Sequence, residues 1–120
     1  MPFQYLLTNL LVDIPGAQGA VFIDSEGEAV ELVSRRSTPY ELKLEGAYNG
    51  IFLRRAAELA SQLGAGELER LTIRGHHSQV IGRTLRSGYA LVVVVDAGAP
   101  HSVAAAAMQR TAEALNQEIP

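Results

Sequence analysis

The chain contains no cysteine. Disulfides and thiolate metal sites are therefore excluded, and a reducing cytoplasm is the simplest home. A basic excess is missing too: ten Lys and Arg stand against thirteen Asp and Glu, for a formal net charge of −3. A dedicated nucleic-acid protein needs positive surface to hold a phosphate backbone, so that class is disfavoured. Long apolar runs are also lacking. The longest, residues 89–95, falls far short of the roughly 20 residues that span a bilayer. Near the N-terminus, Phe3, Leu6, Leu7, Leu10 and Leu11 have no Lys or Arg before them, and Gln4, Thr8, Asn9 and Asp13 interrupt the stretch. That start does not read as a signal peptide, and the chain is expected to be soluble, cytoplasmic and unprocessed. No repeat, low-complexity tract or linker divides it.

What is present fits a globular domain. Apolar residues make up 48% and charged residues 19% of 120 residues, which argues against disorder. The length is that of one domain, expected over 1–120, and long enough to bury a core without staples.

Periodicity supplies the element order. Phe3, Leu6, Leu7, Leu10, Leu11 and Ile14 recur at three- and four-residue spacing, one apolar stripe on a helix that Pro15-Gly16 stops. Residues 17–24 follow as a strand with Ala20, Val21, Phe22 and Ile23 apolar in succession, so both its faces should be covered. Gly27 closes a turn, and 28–34 returns as the partner strand. Thr38-Pro39-Tyr40-Glu41 reads as a capping box that opens a long helix, which Gly64 and Gly66 stop after Leu63. Three strands come next, at 67–74, 78–86 and 89–95, the last solidly apolar and therefore central. A final helix over 100–117 carries Ala104, Met108, Thr111, Ala112, Leu115 and Ile119 on one stripe. Short connections require antiparallel neighbours, and two strands covered on both faces place helices on both sides of one sheet.

This succession resembles the Roadblock/dynein light chain family over nearly the whole chain. The residues that carry it are the first helix ending in Ile14-Pro15-Gly16, the strand Gly19-Ala20-Val21-Phe22-Ile23-Asp24 with the Gly27 turn, the long helix with Ala56, Leu59 and Leu63, and the three-strand run that ends Ser87-Gly88-Tyr89-Ala90-Leu91-Val92-Val93-Val94-Val95-Asp96. Their order and spacing are specific; no single word among them is. The resemblance implies an α+β fold of profilin-like type, α-β-β-α-β-β-β-α, with a five-stranded antiparallel sheet in the order 2-1-5-4-3. It implies the second helix on one face and the terminal helices on the other. It also implies a homodimer, or a heterodimer with a related chain, built by pairing third strands and second helices. Its members bind small Ras-like GTPases, and some bacterial ones stimulate GTP hydrolysis.

The second helix shows two stripes. Leu44, Tyr48, Ile51, Phe52, Ala56, Leu59 and Leu63 form a wide apolar face expected to lie on the sheet. The other stripe, Lys43, Ala47, Gly50, Arg54, Ala57 and Ser61, is dominated by small side chains that let another helix approach closely. Ala and Ser are also ordinary surface residues of a helix, but Gly50 costs about 1 kcal/mol relative to Ala and wants a reason. This stripe, with Glu58, is one candidate partner interface. The other is the third strand, Arg70, Leu71, Thr72, Ile73 and Arg74, whose edge would leave N–H and C=O groups unpaired. Glu67, Glu69, Arg70 and Arg74 are either edge protection or charges that an antiparallel partner strand would match.

No catalytic residue stands out. Arg54 and Arg55 invite comparison with an arginine finger, but arginines on a helix flank are usually solvated or ion-paired, here with Glu58. His76 and His77 sit in an expected turn and His101 near a helix start, without cysteines to support a metal. Residues 35–38 can be read as a phosphorylation site or as the loop that the Thr38 cap closes. Gly75-His76-His77-Ser78 lacks the context of a phosphate loop, and nothing fixes a Ser-His-Asp triad. No cofactor is expected. The expected function is a dimeric, non-catalytic module that binds and regulates, or scaffolds, a small Ras-like GTPase. The alternatives are a structural adaptor without GTPase regulation and a small-ligand sensor, the latter requiring a pocket lined by polar groups.

Overall fold

The structure is a computed structural model that describes residues 2–35 and 39–120. The Thr38 cap and the 36–38 part of the phosphorylation reading lie outside the described residues. The elements are α1 (Pro2–Asp13), β1 (Ala17–Ile23), β2 (Ala29–Ser34), α2 (Pro39–Gln62), β3 (Arg70–Arg74), β4 (Ser78–Thr84), β5 (Ala90–Asp96) and α3 (His101–Glu118). All strand pairs are antiparallel, and the sheet order is β2-β1-β5-β4-β3. This is the architecture expected from the sequence. The largest shift of a boundary is in β3, which starts at Arg70 and not at Glu67.

Each turn has a local cause. Gly27 takes φ +88° in the β1–β2 turn, where a side chain would be strained. Asp24 accepts the backbone N–H groups of Glu26 and Glu28 at 2.9 and 3.0 Å, which bends the chain back. In the β4–β5 turn, Ser87 takes φ 59° and its hydroxyl donates to the Pro120 carbonyl at 3.1 Å, tying that turn to the C-terminus.

The sheet carries a core on each face. On one, α1 and α3 close over Phe22, Ile81, Leu91, Val93 and Val95 with Leu7, Leu10, Leu11, Ile14, Met108 and Leu115. The helix stripes read from the sequence point inward here: Ala104, Met108, Thr111, Ala112, Leu115 and Ile119 are all buried. Phe22 also stacks between Phe3 and Tyr89, with ring centroids 4.9 and 5.5 Å away. Arg35 locks β2 to α1 by donating to the carbonyls of Leu11 at 2.9 Å and Ala17 at 3.1 Å, which satisfies an acceptor near the helix C-terminus.

The other face has a single helix and a thinner core: Val21, Ile23, Val92 and Val94 of the sheet with Leu42 and Leu53 of α2. Here the sequence expectation is corrected. Leu44, Tyr48, Ile51, Phe52, Leu59 and Leu63 do not lie on the sheet; they are exposed. The residues that meet the sheet are Leu42, Gly46, Asn49 and Leu53. The reason is steric. A Cβ on Gly19 would stand 2.6 Å from Leu42 Cδ2, and one on Gly82 would stand 2.7 Å from Leu53 Cδ1. Two leucines thus drop onto two bare places in the sheet, while Gly46 lets the helix backbone press against Val21. A close approach of this kind favours small residues in contact, not large ones.

Candidate interaction site

α2 presents its outer face to solvent over its whole length. Successive residues Leu44, Tyr48, Ile51, Phe52, Leu59 and Leu63 advance at helical spacing, and exposures such as 59% for Tyr48 and 74% for Leu63 show how little of the row is covered. Together with Tyr40 the row exposes roughly 700 Å² of largely apolar side chain, more than the few hundred Å² usual on a monomer. No helix among the described residues is long and apolar enough to cross a membrane.

The small-residue stripe lies elsewhere. Lys43 and Ala47 line a hollow above Val21, Ile23 and Ala29; Gly50 faces Ile23; Ala57 and Ser61 border Leu68, Thr84 and Leu85. The stripe thus runs along the seam between α2 and the turn end of its own sheet, and a Cβ on Gly50 would make only ordinary contact with Ile23 Cδ1, at 3.8 Å, so the chain's own packing does not require glycine there. Arg54 bridges this seam, donating to the Ser25 carbonyl at 3.2 Å. The expected pair with Glu58 does not form among the described residues. Along the seam a cavity of about 150 Å³ lies beside Gly50, Leu53 and Tyr89, below the roughly 300–1,000 Å³ of small-ligand pockets, and a wider, open hollow of about 710 Å³ lies beside Ala57, Ser61 and Leu68.

The two sheet edges differ in a way that backbone phase decides. On β2, the Arg35 N–H donates to Gln18 O at 2.9 Å, and the register pairs Ala20 with Val33. Bonded positions are therefore 35, 33 and 31, and the Leu32 amide points away from β1. Glu31 Oε1 accepts that amide at 3.2 Å. The β2 edge is thus blunted by its own carboxylate. On β3, the Gly75 N–H donates to Ser78 O at 2.9 Å and the Thr84 N–H to Glu69 O at 3.4 Å. Positions 69, 71, 73 and 75 consequently bond to β4, and 70, 72 and 74 turn their N–H and C=O groups outward. Leu71 packs beneath α2 and Ile73 is on the same side, while the Thr72 hydroxyl meets His101 Nε2 at 3.1 Å on the α3 side. Arg70 and Arg74 share the α3 side with Thr72, because side chains alternate.

That alternation limits the charge matching expected of this edge. An antiparallel second copy bonded in phase pairs even positions with even ones. Glu67 and Glu69 then never stand directly opposite Arg70 or Arg74.

The histidines are dispersed. His76 and His77 are exposed in the β3–β4 turn, far in role from His101. Among the described residues no three His, Cys, Asp or Glu side chains gather as metal ligands. Two buried polar residues, Asn49 and Gln79, escaped the sequence reading. Gln79 is fully buried under the β5–α3 loop, and its Nε2 donates towards the carbonyls of Asp96, Ala97 and Ala99 at 3.3, 3.1 and 3.0 Å. Its place in an alternating strand, beside Ile81, was the only signal.

This arrangement, a 2-1-5-4-3 sheet with one long helix on one face and two terminal helices on the other, is the Roadblock fold. The chain is similar to the Roadblock/LC7 domain from Streptomyces avermitilis, with a TM-score of 0.86 at 16% identity over 95% of this chain and 94% of that one. It is similar to the gliding protein MglB from Thermus thermophilus, with a TM-score of 0.84 at 21% identity over 96% and 86%. An MglB with a tetrameric arrangement gives a TM-score of 0.86 at 22% identity over 97% and 86%. No family model and no curated protein matches the sequence itself.

Proposed function

We propose that this chain is a non-catalytic pairing module that binds and regulates, or scaffolds, a small Ras-like GTPase. The observation that carries the reading is the bare apolar row on α2. At roughly 700 Å² it is close to the about 800 Å² per partner of a stable protein interface, and it leaves the sheet-facing contacts of α2 undisturbed. The outward groups at Arg70, Thr72 and Arg74 offer a second, continuous contact, since β3 is the edge without a blunting carboxylate. Pairing about Leu71 places Arg70 opposite the partner's Thr72 and avoids facing arginines.

In this reading two copies join through α2 and β3, and Lys43, Ala47, Gly50, Arg54, Ala57, Glu58 and Ser61 flank the joined helices. The GTPase lies on the α2 side of the pair. The resemblance of the sequence to Roadblock chains and the likeness of the fold to MglB support that partner. The hydrolytic chemistry stays with the GTPase, whose switch population the module shifts by binding one state better. Light scattering after size exclusion tests the pairing, with a mass of two chains expected. Mixing with the Ras-like GTPase encoded nearest to it tests the partner. A complex in one nucleotide state and a changed hydrolysis rate are expected; a monomer, or no complex in either state, refutes the reading.

A further inference from the structure

On the α3 side of the sheet stand three arginines that form no ion pair among the described residues. Arg70 and Arg83 are directly opposite in the β3–β4 ladder. The backbone phase makes 70/83 a non-bonded pair, the kind whose Cα atoms come closest, about 4.5 Å apart. Arg74 stands on the same face, about 13 Å farther along the strand. None of the three guanidinium groups has an ion-pair or hydrogen-bond partner among the described residues. The chain is nevertheless acidic overall, at −3, so acids are available in it that these three arginines do not pair with.

Edge protection explains part of this pattern, since charges on an edge strand discourage stray pairing. It does not explain Arg83, which is on the inner strand β4 and half-buried. Like charges directly opposite in a sheet are destabilising. A group of opposite sign brought from outside removes that repulsion.

The shape of the site selects among anionic partners. The arginines form the floor of a shelf, and α3 rises beside it as a wall about 10 Å thick. His101, at the start of that wall, is hydrogen-bonded to Thr72 between the two edge arginines. A flat bilayer surface would meet the crest of α3 before reaching the floor. A long nucleic acid would be opposed by the acidic remainder of the chain. A polypeptide in extended form can follow the shelf, with carboxylates four residues apart matching the spacing of about 13 Å between Arg70 and Arg74 and the planar guanidinium fork.

We propose that the shelf of Arg70, Arg74 and Arg83 beside α3 docks an acidic polypeptide segment of a partner protein. The site is on the face opposite the α2 row and does not depend on the GTPase reading. If β3 edges pair, the shelves of the two copies meet in one positive band.

The test uses the full chain and a fluorescein-labelled peptide of alternating Glu and Ser, read by fluorescence anisotropy. Binding that weakens as salt is raised is expected. Arg83→Gln, outside the pairing edge, should weaken it about tenfold, and Arg70→Gln with Arg83→Gln should weaken it further. Arg110→Gln, on the far flank of α3 and paired with Asp13 at 4.0 Å, should leave it unchanged. Arg83→Gln should also melt no lower than the parent chain, since it relieves a repulsion. Light scattering on the same samples reports pairing separately, so a lost dimer and a lost peptide site give different results. Absence of peptide binding, binding indifferent to Arg83, or binding of phosphatidylserine vesicles in place of the peptide overturns the proposal.

Discussion

Phe52→Ala separates the fold from the interaction surface within one helix. Phe52 is 49% exposed and is not among the residues that build either core cluster. A Phe offers roughly 200 Å² of surface, so about 100 Å² per copy passes from water into the proposed interface. At about 25 cal/mol per Å² this is roughly 2.5 kcal/mol per copy and about 5 kcal/mol for a symmetric pair. Area converts incompletely into affinity, and Ala keeps its Cβ; half of that figure is still about 2.5 kcal/mol, a loosening of about sixtyfold in Kd. The monomer should be nearly indifferent, because exposed substitutions usually change stability by no more than about 0.5 kcal/mol. Sedimentation equilibrium over a dilution series measures the first quantity, and urea unfolding below the dissociation concentration measures the second. An unchanged Kd refutes the assignment of the outer row to pairing. A monomer destabilised by more than about 2 kcal/mol shows that Phe52 belongs to the core after all.

Other consequences can be tested on the isolated chain. Leu53→Ala removes the side chain seated on Gly82 and should cost about 2–5 kcal/mol in denaturant unfolding; a cost below about 1 kcal/mol would mean that α2 is held elsewhere. Gln79→Met keeps the volume but strips the donor from three loop carbonyls, and should cost about 1–3 kcal/mol, with faster amide exchange in the β5–α3 loop. Glu31→Val uncovers the outward Leu32 amide on β2 and should increase light scattering at high concentration with little change in melting temperature. Equal scattering would show that the carboxylate does not guard that edge.

The α1 and α3 faces were legible in the sequence because each apolar stripe is framed by polar residues, such as Gln4, Thr8 and Asp13, and both stripes have a sheet to cover. The same rule misled on α2. There the largest apolar side chains mark the face turned to solvent, while the sheet contact is made by Leu42, Leu53, Gly46 and Asn49. The signal that pointed the right way was in the strands. Gly19 and Gly82, each isolated among strand residues, announced a close approach from above. The β3 edge was legible as an edge. The sides on which its charges fall required knowing which residues bond to β4, and a sequence does not state ladder phase. Arg83 was passed over for the same reason, since only the register brings it opposite Arg70.

The seating of Leu42 over Gly19 and Leu53 over Gly82 has an evolutionary consequence. Those pegs and sockets are few and are separate from the outer row of the helix. Substitutions can therefore accumulate in the row, and change the proposed contact surface, without touching what holds the helix down.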